Sequence, residues 1–174
     1  DKLMPSLKRT AQTICYMYGG FLAVGVMAYR AAGMGLFDAV CHTMCALSTG
    51  GFSTKLNSIG EYASLPIELV TIVLMLIGTT NFAVLQLLVT GKWRRAGKVS
   101  EVRFMFALLA VFTPIVGLSL MNGLGMSFGE GLRHALFDVA SALSTTGYST
   151  MSYASWPPLA IGVLILMMLV GGGI

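Results

Sequence analysis

The sequence predicts an all-α membrane protein made of two tandem copies of one unit: a long helix, a short helix, a polar loop and a second long helix. Composition is the first observation behind this prediction. Of the 174 residues, 56% are hydrophobic and 10% are charged, whereas soluble domains carry about 25% charged residues. The second observation is an internal repeat, in which two polar loops of nearly the same sequence lie 96 positions apart, as Thr49 and Thr145 do.

Four long apolar segments are predicted to be membrane-spanning helices, since about 20 residues cross the hydrocarbon core. Pro114 is expected to bend the third segment, and Pro157 with Pro158 suits the opening turn of the fourth. Glu68 and Glu130 are expected near the outer surface, exposed to solvent. The four segments cover residues 10–29, 65–90, 104–121 and 156–170.

Two shorter apolar segments, residues 36–47 and 131–143, are about a dozen residues each and too short to cross a membrane. Each is followed by a loop of Ser, Thr and Gly, a pattern that indicates a re-entrant segment buried in protein or lining water. We therefore predict a first repeat over residues 1–91, a basic linker over 92–103, and a second repeat over 104–174 whose last helix is cut short.

Charge predicts the topology, because basic residues accumulate on the cytoplasmic side of membrane helices. Two full spans separate the two basic clusters, so both are expected in the cytoplasm and the polar loops are expected to enter from outside. No aromatic interleaving accompanies the basic residues, so nucleic acid is not an expected partner. The two clusters are Lys2, Lys8 and Arg9, and then Lys92, Arg94, Arg95, Lys98 and Arg103.

The repeat is most exact at the loops, where residues 46–54 and 142–150 are identical at seven of nine positions. In the same register Asp38 aligns with His134, and His42 aligns with Asp138. The two aspartates have two interpretations: they attract cations at an outer vestibule, or they hold the short helix and the backing of the loop by hydrogen bonds.

The loop composition suits backbone coordination of a cation. Glycine allows carbonyl orientations that other residues resist, and successive carbonyl oxygens can replace the hydration shell of an ion. The preceding short helix directs its negative C-terminal dipole at the loop. The candidate residues are Thr49, Gly50, Gly51 and Phe52 in the first loop, and Thr145, Thr146, Gly147 and Tyr148 in the second.

Other functions fit the residues less well. An intramembrane protease would need a nucleophile turn or paired aspartates, and the two aspartates lie in unlike contexts, so the chain is not expected to be an enzyme. A re-entrant channel for a neutral solute stays an alternative, although such loops typically contain Asn and neither loop does. A structural membrane scaffold is a third possibility.

Several segments together resemble the membrane subunit of Trk/Ktr potassium transporters and their plant HKT relatives. They are residues 143–150 with 153–157, residues 48–53, and residues 75–82. The resemblance implies a potassium-channel-like fold with four repeats around one pore, of which this chain holds the second and third. It implies K⁺ as the transported ion, bound by backbone carbonyls of Thr49, Gly50, Thr145 and Thr146, with no other cofactor.

The resemblance also implies a multi-pass protein of the plasma (inner) membrane, a homodimer, and a cytoplasmic nucleotide-binding regulatory subunit. Gly171, Gly172 and Gly173 resemble the start of a glycine-rich intramembrane gate below the filter. Asn81 is polar in mid-span, where it either lines the cavity or bonds a neighbouring helix. Ser53 and Ser149 replace the final glycine of the channel signature, so the choice between K⁺ and Na⁺ stays open.

Overall fold

The computed structural model describes residues 3–172, and every regular element in that range is helical. Gly173, one of the predicted gate residues, and Lys2, of the first basic cluster, lie outside the described residues. Two short 3₁₀ helices, Ser58–Tyr62 and Tyr153–Ser155, follow the polar loops. The α-helices are α1 (Leu3–Ala31), α2 (Leu36–Leu47), α3 (Leu65–Thr79), α4 (Phe82–Val89), α5 (Trp93–Ala96), α6 (Ser100–Leu124), α7 (Phe128–Leu143) and α8 (Pro158–Gly171).

Two of these helices are long and apolar enough to cross a membrane alone: α1, over Lys8–Ala31, and α6. The 25 residues of α6 rise about 37 Å. The helix is unbroken from Ser100 to Leu124 with Pro114 inside it. The helix is therefore long enough to span the hydrocarbon core of a bilayer.

The prediction of one continuous helix over residues 65–90 is wrong. The chain forms α3 and α4 instead, and the two helices are bent by 118° at the break between them. Thr80 leaves the helix with extended backbone, and the Asn81 side chain caps α4 by accepting a hydrogen bond from the Ala83 amide at 3.0 Å. The segment is therefore two helices, and it does not form one straight membrane-spanning helix.

The short helices α2 and α7 are confirmed, the first with the predicted bounds. The second begins at Phe128 rather than Gly131, because Ser127 and Glu130 form a reciprocal capping box ahead of the apolar run. Glu130 is exposed at this turn, as expected. The sequence pattern marks the apolar part of α7, whereas the cap determines where the helix starts.

The core joins the two repeats. Helix α7 packs against α3, α6 and α8, and α2 packs between α1 and α3. Tyr29, Phe137 and Tyr148 are among the largest fully buried side chains. The Tyr29 hydroxyl bonds the Thr71 hydroxyl at 2.8 Å, which ties α1 to α3. The two short helices are thus held at the centre by the longer ones.

Candidate functional site

The two polar loops have the same unusual backbone conformation. Thr49 and Gly51 have φ values of 50° and 68°, and Thr145 and Gly147 have 55° and 87° at the equivalent positions. A non-glycine residue with positive φ is uncommon and marks a constrained segment. Its occurrence at the same place in both loops shows that the repeat extends from sequence to backbone geometry.

Both loops are bonded to the end of their short helix in the same way. The amides of the first loop residues donate to carbonyls of the last helical turn, so the helix end is capped by the loop itself. The bonds are Thr49 N to Ala46 O at 3.2 Å and Gly50 N to Cys45 O at 2.7 Å, then Thr145 N to Ala142 O and Thr146 N to Ser141 O, both at 3.0 Å.

The carbonyl oxygens predicted to bind the ion accept no hydrogen bond from residues 3–172. Within residues 3–172, no hydrogen bond engages the carbonyl oxygens of Thr49, Gly50, Thr145 or Thr146. Unbonded carbonyls next to a helix C-terminus form an electronegative patch. No cluster of His, Cys, Asp and Glu suited to a metal ion exists in the same range.

The two loops meet at their glycines. A Cβ atom added to Gly51 would overlap the carbonyl oxygen of Thr146, so only glycine permits this approach. Gly147 has open space around its Cα. The backbones of the two loops therefore lie in direct contact at Gly51 and the Thr146–Gly147 peptide.

Tyr148 links the second loop to the back of the first. Its ring is fully buried and stacks on His42 with the ring centroids 5.8 Å apart. Its hydroxyl donates to the Phe52 carbonyl at 3.0 Å. Phe52, the equivalent residue of the first loop, is 78% exposed. Its ring therefore has no equivalent partner loop within residues 3–172.

Asp38 fastens the outer end of the first loop. Its carboxylate accepts hydrogen bonds from the Thr54 hydroxyl at 2.7 Å and the Tyr62 hydroxyl at 2.8 Å, and Lys55 lies 3.6 Å away. The bonds from Thr54 and Tyr62 hold the pKa of Asp38 below its usual range. Burial raises the pKa of Tyr62 to about 12, so its hydroxyl keeps the proton that it donates.

Asp138 holds the end of the second loop by hydrogen bonds, although it aligns with His42 and not with Asp38. It is fully buried and accepts hydrogen bonds from the Thr150 and Tyr153 hydroxyls, both at 2.7 Å. His134 Nδ1 also contacts the Thr150 hydroxyl, at 2.8 Å. Since that hydroxyl gives its one proton to Asp138, His134 is the donor.

The acid and the histidine have thus exchanged places between the repeats. Asp38 occupies the position of His134, and His42, whose Nε2 lies 2.9 Å from the Ser53 hydroxyl, occupies that of Asp138. The two positions lie one helical turn apart on the same face of the short helix. An aspartate at either position can therefore reach the threonine and the tyrosine that follow the loop of its own repeat. The geometry favours the interpretation in which both aspartates hold the backing of the loop.

An ion pair joins the two repeats, and the sequence pattern did not predict it. Glu68 of α3, expected to be exposed to solvent, is 2% exposed. Arg133 of α7 donates to it through Nε at 2.6 Å and Nη2 at 2.8 Å. A two-point contact of this kind is among the stronger hydrogen-bonded pairs. The position of Glu68 inside an apolar segment was the available signal, since such acids are usually paired.

Two of the predicted gate glycines, Gly171 and Gly172, lie at the C-terminal end of α8. A Cβ atom at Gly171 would overlap the Leu143 carbonyl at the end of α7, and Gly172 caps α8. Gly78 has the matching place in the first repeat, where a Cβ atom would lie 2.6 Å from the Leu47 carbonyl. Asn81 is exposed, and its side-chain oxygen caps α4 by accepting a hydrogen bond from the Ala83 amide.

These long apolar helices, with two short helices ending in matched and mutually contacting loops, define a helical membrane protein built from two tandem repeats. The family model for TrkH, described as cation transport protein, matches residues 1–174. The chain belongs to this family.

Relatives agree with this assignment. The chain is 36% identical to the Trk system potassium uptake protein TrkG of Escherichia coli K12 over 174 residues, and 34% identical to the Trk system potassium uptake protein TrkH of Halomonas elongata over 177 residues. Each alignment covers 99% of this chain and 36% of the relative. The crystal structure of the potassium transporter TrkH from Vibrio parahaemolyticus matches with a TM-score of 0.84 and 28% identity, covering 94% of this chain and 36% of that one.

Proposed function

We propose that this chain contributes two of four loops to a pore through which K⁺ is taken up across the membrane. The observation that carries the proposal is the pair of matched loops, which have equal backbone conformations, meet at Gly51 and Thr146, and leave four carbonyl oxygens unbonded. The named function of the relatives, potassium uptake, agrees with it.

In this proposal the K⁺ ligands are the carbonyl oxygens of Thr49, Gly50, Thr145 and Thr146. They replace part of the hydration shell of the ion, and the C-terminal dipoles of α2 and α7 add negative potential without a carboxylate. The remaining residues of the two loops, Gly51, Phe52, Gly147 and Tyr148, keep the carbonyls in position.

Two loops cannot surround an ion, so the other two belong to parts of the protein beyond this chain, which spans 36% of the length of its relatives. The exposure of Phe52 supports this. Its equivalent, Tyr148, is fully buried against the first loop. We propose that Phe52 braces the loop of a further repeat in the same way.

The decisive experiment uses the full-length gene in cells that depend on it for K⁺ uptake. Gly147→Ala and Gly125→Ala form a matched pair, because both glycines have positive φ and both have open space for a Cβ atom. Gly125 caps α6, away from the loops. Gly147→Ala is expected to lower uptake at equal protein level, whereas Gly125→Ala leaves the uptake per molecule unchanged.

Gly51→Ala is expected to be at least as severe, since its methyl group would displace the Thr146 carbonyl oxygen. Normal K⁺ uptake by either loop variant would contradict the proposal. Tracer Rb⁺ and Na⁺ uptake, measured side by side, distinguishes a K⁺-selective pore from the alternative of Na⁺ or poorly selective transport. Transport of an uncharged solute without ion flux would favour the neutral-solute channel.

We also propose the membrane, the orientation and the partners of the protein. The protein is a multi-pass protein of the plasma membrane whose basic linker, residues 92–103, faces the cytoplasm and whose loops face outside. The resemblance supports a homodimer and a cytoplasmic nucleotide-binding regulatory subunit. Cysteine labelling from each side of the membrane tests the orientation, and the mass of the purified complex tests the partners.

A further inference from the structure

A cavity of about 430 Å³ lies in the angle between α3 and α4, where both face α5 and the first turns of α6. Its walls are apolar apart from the hydroxyl of Thr80 and the indole of Trp93. Trp93 and Phe106, at its rim, are 70% and 55% exposed, so the cavity opens at the surface of the described part of the chain. Its volume is within the range of ligand pockets.

The cavity exists because the apolar segment of α3 and α4 is bent. A continuous helix over residues 65–90 would carry α4 straight on from α3, whereas the 118° bend turns α4 aside so that it packs against α5. The inner walls come from Ile77 and Leu88 on the two arms of the bend, and Met105 of α6 closes the third side.

Cationic side chains alternate with the residues that line the rim. Trp93, Ala96 and Gly97 line the cavity, and four basic residues are their neighbours in sequence. All four are exposed, and within residues 3–172 none of them forms an ion pair. Glu101 is the one acid between positions 92 and 106. The basic residues are Lys92, Arg94, Arg95 and Lys98.

This combination lies where a membrane surface is expected. These four basic residues precede Ser100, the first residue of α6. Trp93, which lies among them in the sequence, is a residue type that favours the interface between hydrocarbon and water. Exposed cations at that depth attract anionic headgroups.

We propose that the cavity binds one anionic phospholipid, with an acyl chain between α3, α4 and α6 and the phosphate on the basic residues of the linker. The chemistry of the walls favours this occupant over a protein segment. A peptide would bury amide groups for which these walls offer almost no hydrogen-bond partners, whereas an acyl chain has no such groups. The site does not depend on ion conduction through the loops.

The test uses the full-length protein in bilayer nanodiscs and the fluorescence of Trp93, isolated as the difference between the wild type and Trp93→Phe. Brominated phosphatidylglycerol and brominated phosphatidylcholine are the probes, because bromine quenches an indole only in contact range. The anionic lipid is expected to quench Trp93 at a lower mole fraction than the zwitterionic lipid.

Arg94→Gln/Arg95→Gln tests the headgroup contact. Brominated phosphatidylglycerol is expected to require about a thirtyfold higher mole fraction in this variant, since two basic residues are lost. The matched control is Lys8→Gln/Arg9→Gln, which removes the same number of exposed charges from α1, outside the cavity, and is expected to keep the wild-type preference.

Val102→Phe tests the acyl chain, because Val102 lines the cavity and a larger side chain would fill it. Quenching by both lipids is expected to fall. Val111→Phe, at an exposed position of the same helix, is expected to change nothing. Equal quenching by the two lipids in the wild type would overturn the proposal. So would a Trp93 signal insensitive to both, which would show that another part of the protein or a partner covers the cavity.

Discussion

The hydroxyl of Tyr148 donates a hydrogen bond to the carbonyl oxygen of Phe52 at 3.0 Å, and these two residues are equivalents in the repeat. The aromatic residue of one loop therefore holds the backbone of the other loop from behind. The contact lies next to the carbonyl oxygens proposed as ligands, so it controls how closely the two loops approach.

We expect Tyr148→Phe to keep the buried ring and to lose this bond, which leaves the Phe52 carbonyl without its partner. The free energy of unfolding should fall by about 1 kcal/mol, and ion selectivity should weaken. Unfolding in detergent and the ratio of Rb⁺ to Na⁺ uptake measure the two effects. Tyr16→Phe, at an 80% exposed ring on α1, is the control and should alter neither quantity.

Arg133→Gln should be among the more destabilising single changes, because it leaves the carboxylate of Glu68 buried without its cation. Breaking such a pair costs about 3–5 kcal/mol. The double variant Glu68→Gln/Arg133→Gln removes the unpaired charge as well and should recover most of the loss. A double variant as unstable as Arg133→Gln would mean that the charge is not the cause.

Gly171→Ala should destabilise the protein, since its methyl group would enter the space of the Leu143 carbonyl at the end of α7. Gly162 provides the matched control on the same helix, with nothing within 4 Å of an added Cβ atom. Gly162→Ala should be neutral or stabilising by up to about 1 kcal/mol. Thermal unfolding of the two variants gives the comparison, and equal midpoints would contradict the close contact.

The hydrogen bonds of Asp38 predict that the free energy of unfolding depends on pH. Hydrogen bonds from Thr54 and Tyr62 lower its folded-state pKa, so the carboxylate contributes stability above the pKa of the unfolded chain, about 3.9. That contribution is lost as the pH falls through the folded-state pKa. The stability difference between the wild type and Asp38→Asn should therefore be full at pH 7 and shrink below about pH 4.

Thermal unfolding from pH 7 to pH 3 measures this difference. Glu101→Gln, at an exposed carboxylate on α6, corrects for the general effect of removing one negative charge. A difference between wild type and Asp38→Asn that stays constant over this range would show that the hydrogen bonds do not favour the ionised form.

The sequence alone determined the class, the repeat and the position of the loops. Apolar length identified α1 and α6 as helices able to span a membrane. The near-identity of residues 46–54 and 142–150 indicates the same backbone twice. The bounds of α2 were predictable because Gly35 precedes its apolar run and the Ser/Thr/Gly loop follows it.

Only the tertiary structure decided the break between α3 and α4, the burial of Glu68, and the identity of the groups behind each loop. Hydropathy cannot locate a bend inside an apolar run, because the residues on both arms are equally apolar. Partners such as Glu68 and Arg133 lie 65 positions apart, and the exchange of Asp and His between repeats hides the equivalence of their roles. These features depend on which surfaces come into contact, which local sequence does not encode.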